Sequence, residues 1–302
     1  MSIAVETKKT VPTGEYGLLL LLSTFWGASF TFIHIGVETI PPLTFITVRT
    51  LLAGFILLAV MKLKGVRFPK DLLTWRNYAV QAVLNSVLPV ALIAWAEQTV
   101  EAGLATILNA SSPIFAFLID WIWTKRETTS AKKMLGVMLG MLGVLLIVGF
   151  QALNGIGKEL IAQLAVVLAA LCFAGAVLWG RNFSGTNPMA PATGSLLTGA
   201  VMTLPFALVV DRPWTIEPSL ASCLALVYLA IFSTAIAFTL YFRLIRTMGA
   251  VSTSAQAYLR VPIGVGIGAL FLGESLSPTA WIGCLCVMAG VVAMTLPSWR
   301  KA

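Results

Sequence analysis

Charge is what this sequence lacks. Only 11% of its 302 residues are Asp, Glu, Lys or Arg, while 58% are hydrophobic. A soluble domain averages about 25% charged residues, so the polar shell of a water-soluble globule is missing. Histidine is nearly absent, with His34 the single one. A membrane-embedded enzyme needs a nucleophile–base pair or a metal cluster at depth, and one histidine without a carboxylate beside it argues against that class. Cysteine is scarce too. Cys172, Cys223, Cys284 and Cys286 fall inside hydrophobic segments, where thiols serve as small packing residues. Cys284-x-Cys286 lacks zinc-site spacing. Neither a metal nor a cofactor is expected.

What the chain has is hydrophobic length. Mean hydropathy is +0.92, and a spanning helix needs about 20 apolar residues. Ten such segments can be read: 16–36, 41–61, 77–97, 102–122, 134–150, 160–180, 189–210, 220–242, 249–272 and 279–297. No connection between them is long enough for an extra soluble domain. The first segment is too long for a signal-peptide core and no cleavage site comes after it, so it reads as retained.

The net charge of +8 is unevenly placed. With the N-terminus inside, the inner stretches hold Lys8, Lys9, Lys62, Lys64, Arg67, Lys70, Arg76, Lys125, Arg126, Lys132 and Lys133. Arg181, Arg243, Arg246, Arg300 and Lys301 join them, whereas the outer side has only Lys158 and Arg212. That is the positive-inside bias of a membrane protein, not the footprint of a nucleic-acid binder. Both termini are expected in the cytoplasm, in a cell (inner) membrane.

The second half echoes the first. Glu127 and Glu274, Gly136 and Gly283, and Gly143 and Gly290 each stand 147 apart, and Gly103 and Gly249 stand 146 apart. Pro113 and Pro262 correspond at 149, so a short indel lies between the anchors. Each half would span five times, an odd number, so the halves 1–152 and 153–302 must insert in opposite orientations. Inverted repeats characterise secondary transporters, with the substrate site near mid-membrane. The predicted fold is an all-α polytopic membrane protein of ten transmembrane helices in two inverted five-helix repeats.

Several motifs point one way: "WG" early in the first segment, an arginine in the second ("TVRTLLAG", 47–54), and a "P…GE…G…G" ending to each half. In these the chain resembles the EamA-type transporters of the drug/metabolite superfamily along essentially its whole length, and most of all the YddG-type aromatic amino acid exporters. The first repeat departs from the pattern with "TKRE" where the second keeps "FLGE". The resemblance implies alternating access through a central cavity and a small-molecule substrate. It also makes Arg49 the family's second-helix arginine, bonded to backbone or gate residues.

Helical periodicity sorts the faces. Ser23, Trp26, Gly27, Phe30 and His34 share one stripe of the first segment, with Leu21, Phe25, Ala28, Phe32 and Ile35 opposite and suited to lipid. Tyr78, Gln81, Asn85, Leu92 and Trp95 share a face of the third. Ala105, Asn109, Ser112, Ala116 and Asp120 do so in the fourth. The sixth offers Cys172, Ala176 and Trp179, and the eighth Tyr228, Phe232, Ala235 and Thr239. Small residues in helices five and ten, Gly136, Gly140, Gly283 and Gly290, read as packing. Gly264, Gly266 and Gly268 read the same way, lacking the context of a nucleotide fingerprint.

The substrate-binding set expected from these faces is Trp26, Phe30, Asn85, Trp95, Asn109, Ser112, Trp179 and Tyr258. The carbonyls of Asn109 and Tyr258, each four residues before a proline, are candidate ligands as well. His34, Arg49, Asp120 and Arg260 are gate or structural polar groups. Asp120 would pair near Lys125 and Arg126, Arg260 could meet a substrate carboxylate, and Glu274 would anchor its loop.

The leading function is export of small organic metabolites, amino acids and aromatic ones among them. No carboxylate lies near mid-depth, since Asp120 is close to the inner end and Glu97, Glu101 and Glu274 are at the outer surface. Facilitated rather than ion-coupled transport is therefore expected. The alternatives are a nucleotide-sugar or purine/drug carrier, which would want more cations than Arg49 and Arg260, and a proton-coupled antiporter of the same fold. The partners are the lipid bilayer and a small molecule, with the chain a monomer or homodimer.

Overall fold

A computed structural model describes residues 12–69, 71–96, 100, 108–124, 131–148, 156, 159–263 and 278–295. Among them every regular element is a helix. Helix α1 is Thr13–Val37 and α2 is Pro42–Leu63. Helix α3 runs in three parts, Leu72–Ala82, Val83–Val87 and Leu88–Ala96. Helix α4 comprises Ser112–Ile119 and Asp120–Thr124, and α5 is Ala131–Val148. Helices α6, α7 and α8 are Leu160–Phe183, Met189–Asp211 and Leu220–Met248. Helix α9 starts as Ala250–Ser254 and continues over 256–263, and α10 is Pro278–Thr295.

The ends are set by local chemistry. Asp71 caps α3 by accepting from the Thr74 N–H at 2.8 Å, and Ser219 caps α8 by accepting from Ser222 at 3.1 Å. Helix α2 opens with proline at its first position, where the missing N–H costs nothing. Another free donor of its first turn, Thr44 N–H, is met by Asp211 at the end of α7 at 2.7 Å. Gly249, at φ 86°, separates α8 from α9 in a conformation that residues with a Cβ avoid.

Among the described residues four helices, α2, α6, α7 and α8, are long and apolar enough to cross a bilayer by length and composition alone. Large apolar side chains face outward around the bundle, among them Leu135 and Met138 on α5, Val209 and Val210 on α7, and Trp281 and Leu285 on α10. In water such a surface would aggregate; in lipid it is the natural exterior. The chain is an all-α membrane protein.

Helices pack in defined pairs: α1 with α8, α2 with α7, α3 with α6, α4 with α6 and α9, and α5 with α10. The α5–α10 seam is the most extensive. A Cβ on Gly136 would stand 2.6 Å from the Gly290 carbonyl oxygen, and one on Gly143 would stand 2.7 Å from that of Gly283. These glycines pack, as their spacing predicted.

Polar contacts sort the helix termini into two ends. At one, Glu15 of α1 accepts from Arg243 of α8 at 2.8 Å and from Thr247 at 3.0 Å, and Asp120 of α4 pairs with Arg181 at the end of α6. At the other, Thr39 after α1 donates to Ser222 of α8 at 2.8 Å, and Ser222 donates to the Ile35 carbonyl at 2.8 Å. The expectation that Phe25 and Phe32 face lipid is corrected. Phe32 stacks on Tyr228 with centroids 4.0 Å apart, and Phe25 meets Phe232 at 5.8 Å. Both rings close the α1–α8 seam.

Candidate functional site

The interior helices are not regular. Helix α3 widens into a π turn at Val83–Val87 and α8 into one at Leu229–Ile236. Adding 147 to the first range gives 230–234, inside the second, so the distortion recurs at the repeat spacing. π turns are rare and collect at functional sites because they free backbone groups. The Ser233 carbonyl in α8 accepts from the Trp26 indole N–H at 3.0 Å, and the Ser233 hydroxyl donates to the Phe25 carbonyl at 2.8 Å. The neighbouring Thr234 hydroxyl donates to the Leu229 carbonyl at 2.8 Å and accepts from Arg49 Nε at 2.7 Å.

Helices α4 and α9 are interrupted instead. A turn at Ala110 and Ser111 precedes the regular part of α4, and a turn at Ala255 breaks α9. Non-helical backbone at membrane depth is tolerated where protein or a cavity meets its polar groups.

Unmet polar groups occur on α3, α4 and α9 of these, with Thr44 Oγ1 on α2 besides. Gln81, on α3 just before its π turn, is fully buried, and neither amide atom has a hydrogen-bond partner among the described residues. It lies near the Tyr241 hydroxyl without reaching hydrogen-bond geometry. Asn109 Oδ1 beside the α4 turn and Gln256 Oε1 beside the α9 turn are likewise buried and unmet. These two amides stand 147 apart, the spacing of the glycine anchors. A buried group left unsatisfied costs about 1–3 kcal/mol, so a retained set calls for an explanation.

Two guanidinium groups share the interior. Arg49 and Arg260 are deeply enclosed by protein, yet both side chains keep accessible surface. Arg49 is oriented by Thr234, as a structural role implies. Arg260 has no hydrogen bond or ion pair among the described residues. Placing such a cation at the centre of a spanning helix costs about 3 kcal/mol.

The end of the bundle carrying the two ion pairs is closed by rings. Tyr78 of α3 meets Phe183 of α6 at 5.4 Å, Phe183 meets Phe242 of α8 at 5.7 Å, and Phe242 meets Tyr241 at 5.3 Å. Tyr241 in turn meets Trp26 of α1 at 5.6 Å. The layer thus ties helices of both halves together above the salt bridges.

The expected residues divide. Trp26, Asn85, Ser112 and Trp179 are turned into the protein, with Asn109 beside them, and Trp179 donates its indole N–H to the Asn77 carbonyl at 3.3 Å. Trp95 separates from Asn85: it is 50% exposed, on a stripe with Leu88 and Ala91. The π turn between them adds a residue to one turn of helix and rotates the rest of α3 about its axis. Tyr258 also goes elsewhere. Its ring fills the notch at Gly140, and its hydroxyl donates to the Val137 carbonyl of α5 at 3.2 Å. Asp120 does form an ion pair, with Arg181, sixty-one residues away in sequence. The side chains of Phe30 and His34 lie outside the described set, as do Lys125, Arg126, Glu127, Glu274 and Gly264, Gly266 and Gly268. Gln256 was missed by sequence reasoning, although its spacing from Asn109 could have flagged it.

Comparisons with known proteins agree on the class. The EamA-like transporter family matches residues 14–149 and again 160–296. The uncharacterized inner membrane transporter YedA of Escherichia coli K12 is 29% identical over 93% of this chain and 90% of its own length. The uncharacterized transporter YoaV of Bacillus subtilis is 24% identical over 94% and 97%. A probable amino-acid metabolite efflux pump of Escherichia coli K12 is 24% identical over 94% and 96%. A solved crystal structure shares the fold, with TM-score 0.79 over 94% of this chain and 96% of that one at 16% identity. The chain belongs to the EamA-like transporter family and is a membrane transporter.

Proposed function

We propose that the protein exports small organic metabolites, amino acids and aromatic ones among them, by facilitated alternating access between two inverted five-helix repeats, 1–152 and 153–302. The observation that carries this reading is the recurrence of distorted helices in both halves, α3 and α8 with their π turns and α4 and α9 with their interruptions, together with unmet amides on α3, α4 and α9. Buried polar groups left unpaired serve a molecule that passes or a second conformation. The helix pairing supports inversion. Exchanging the halves turns the α1–α8 contact into α6–α3 and maps α2–α7 and α5–α10 onto themselves. The double family match supports it as well. The substrate class draws support from the relative named as an amino-acid metabolite efflux pump.

Facilitated transport fits the charges. The buried carboxylates Glu15 and Asp120 are held by Arg243 and Arg181, and a metabolite accumulated in the cytoplasm needs no ion gradient to leave. The path runs past Trp26, Asn85, Asn109, Ser112 and Trp179, in a cell membrane with both termini cytoplasmic. Counterflow in proteoliposomes without ion gradients, against a panel of amino acids and other small metabolites, tests this reading. Amino-acid exchange is expected, and a pH gradient should not concentrate the substrate. Uphill accumulation driven by that gradient would refute facilitated export. For orientation, cysteine at Glu217 in a cysteine-free background should label from outside the cell, and cysteine at Lys64 should not.

A further inference from the structure

Arg260 is an interior cation with no hydrogen bond or ion pair among the described residues. Residues 256–263 of α9 are helical, so Gln256 and Arg260 sit one turn apart on one face, with Cβ atoms about 6 Å from each other. Tyr258 lies two residues from each, about 200° around the helix, and its ring is seated in α5 at Gly140. Gln256 and Arg260 therefore turn away from α5, toward the middle of the bundle. There α1 passes close: a Cβ on Gly27 would stand 3.2 Å from the Arg260 carbonyl oxygen. The same turn of α1 holds Trp26, bonded to the π turn of α8.

An acceptor and a cation on this face lack partners among the described residues. Gln256 Oε1 is buried without a partner, and among the described residues no carboxylate approaches Arg260. Glu15 is taken by Arg243, Asp120 by Arg181, Asp211 by the Thr44 N–H and Asp71 by the Thr74 N–H. A free guanidinium calls for an anion, best a planar carboxylate. A free amide oxygen one turn away calls for an N–H donor. An α-amino acid carries both on one carbon.

We propose that Arg260 and Gln256 read the two charged groups of an α-amino acid, Arg260 binding the carboxylate and Gln256 Oε1 accepting from the ammonium. The assignment rests on the transporter reading and deepens it. The side chain of the substrate is left to the aromatic surroundings, so the pair selects the class of compound and not the individual amino acid.

The test is competition in counterflow with the purified full-length protein in liposomes. The twenty amino acids are exchanged first, and the fastest is set against its own amide and its own α-keto acid. For L-phenylalanine these are phenylalaninamide and phenylpyruvate. In the unaltered protein the amino acid should outcompete both analogues by about tenfold or more. Arg260→Gln should erase the preference over the amide, while Arg260→Lys retains part of it. Gln256→Leu should erase the preference over the keto acid and keep that over the amide. Amino-acid exchange that accepts the amide and the keto acid equally well overturns the pair and leaves the transporter reading standing. So do variants that weaken all three compounds alike. Exchange of no amino acid overturns both.

Discussion

The α5–α10 seam and the α3, α4, α8 and α9 interior are built from the same apolar alphabet to opposite ends. In the seam, glycine removes every obstacle: the Cβ positions of Gly136, Gly143 and Gly290 all fall within 2.7 Å of atoms on the facing helix. In the interior, helices widen or break, and Gln81, Asn109 and Gln256 keep amide atoms without partners. The seam is optimised for contact. The interior is held short of its best packing, which is what a region expects when it must admit a substrate or change conformation.

Substitutions should separate the two regions. The largest effect belongs to the seam. Gly290→Val or Gly143→Leu drives a side chain into backbone and should cost about 3 kcal/mol or more, read as loss of monodisperse protein in detergent. Asp120→Asn removes the charge partner of Arg181 where both side chains are nearly buried, and a loss of about 3 kcal/mol is expected in thermal unfolding of the purified protein. Glu15→Gln should cost less, about 1 kcal/mol, because Arg243 is half exposed and water replaces much of the pairing. The smallest effect has the opposite sign. Gly199 faces only ordinary contact, with Ala82 Cβ 3.6 Å from the added carbon, so Gly199→Ala should raise stability by about 0.5 kcal/mol. Equal losses at Gly199 and Gly290 would erase the distinction between a close approach and a tolerated gap.

Much of the seam could be read before any coordinates, because glycines at helical spacing in an apolar segment have one common use. Helix positions were legible for the same reason: apolar length and charged connections mark them. The interior was only half legible. Asn85 and Asn109 announced themselves as amides in apolar stretches, but Trp95 was put on their face by assuming a uniform helix. A π turn has no composition of its own, so Val83–Val87 could not be seen, nor the rotation it causes. Partners were hidden too. Arg181 for Asp120 and Arg243 for Glu15 are long-range choices set by which helices meet. Tyr258 looked like a lining residue, and only the notch at Gly140 shows where its ring is spent.

The central claim is that the unmet amides belong to transport and not to folding. Gln81→Leu tests it most directly, since Gln81 is fully buried with both amide atoms unpaired and leucine fills a similar space. Melting temperature and amino-acid counterflow are measured on the same purified preparation. The account predicts a variant as stable as the parent or more so, by about 1 kcal/mol, with exchange slowed about tenfold or more. A variant that melts lower while exchanging at the parent's rate would contradict it.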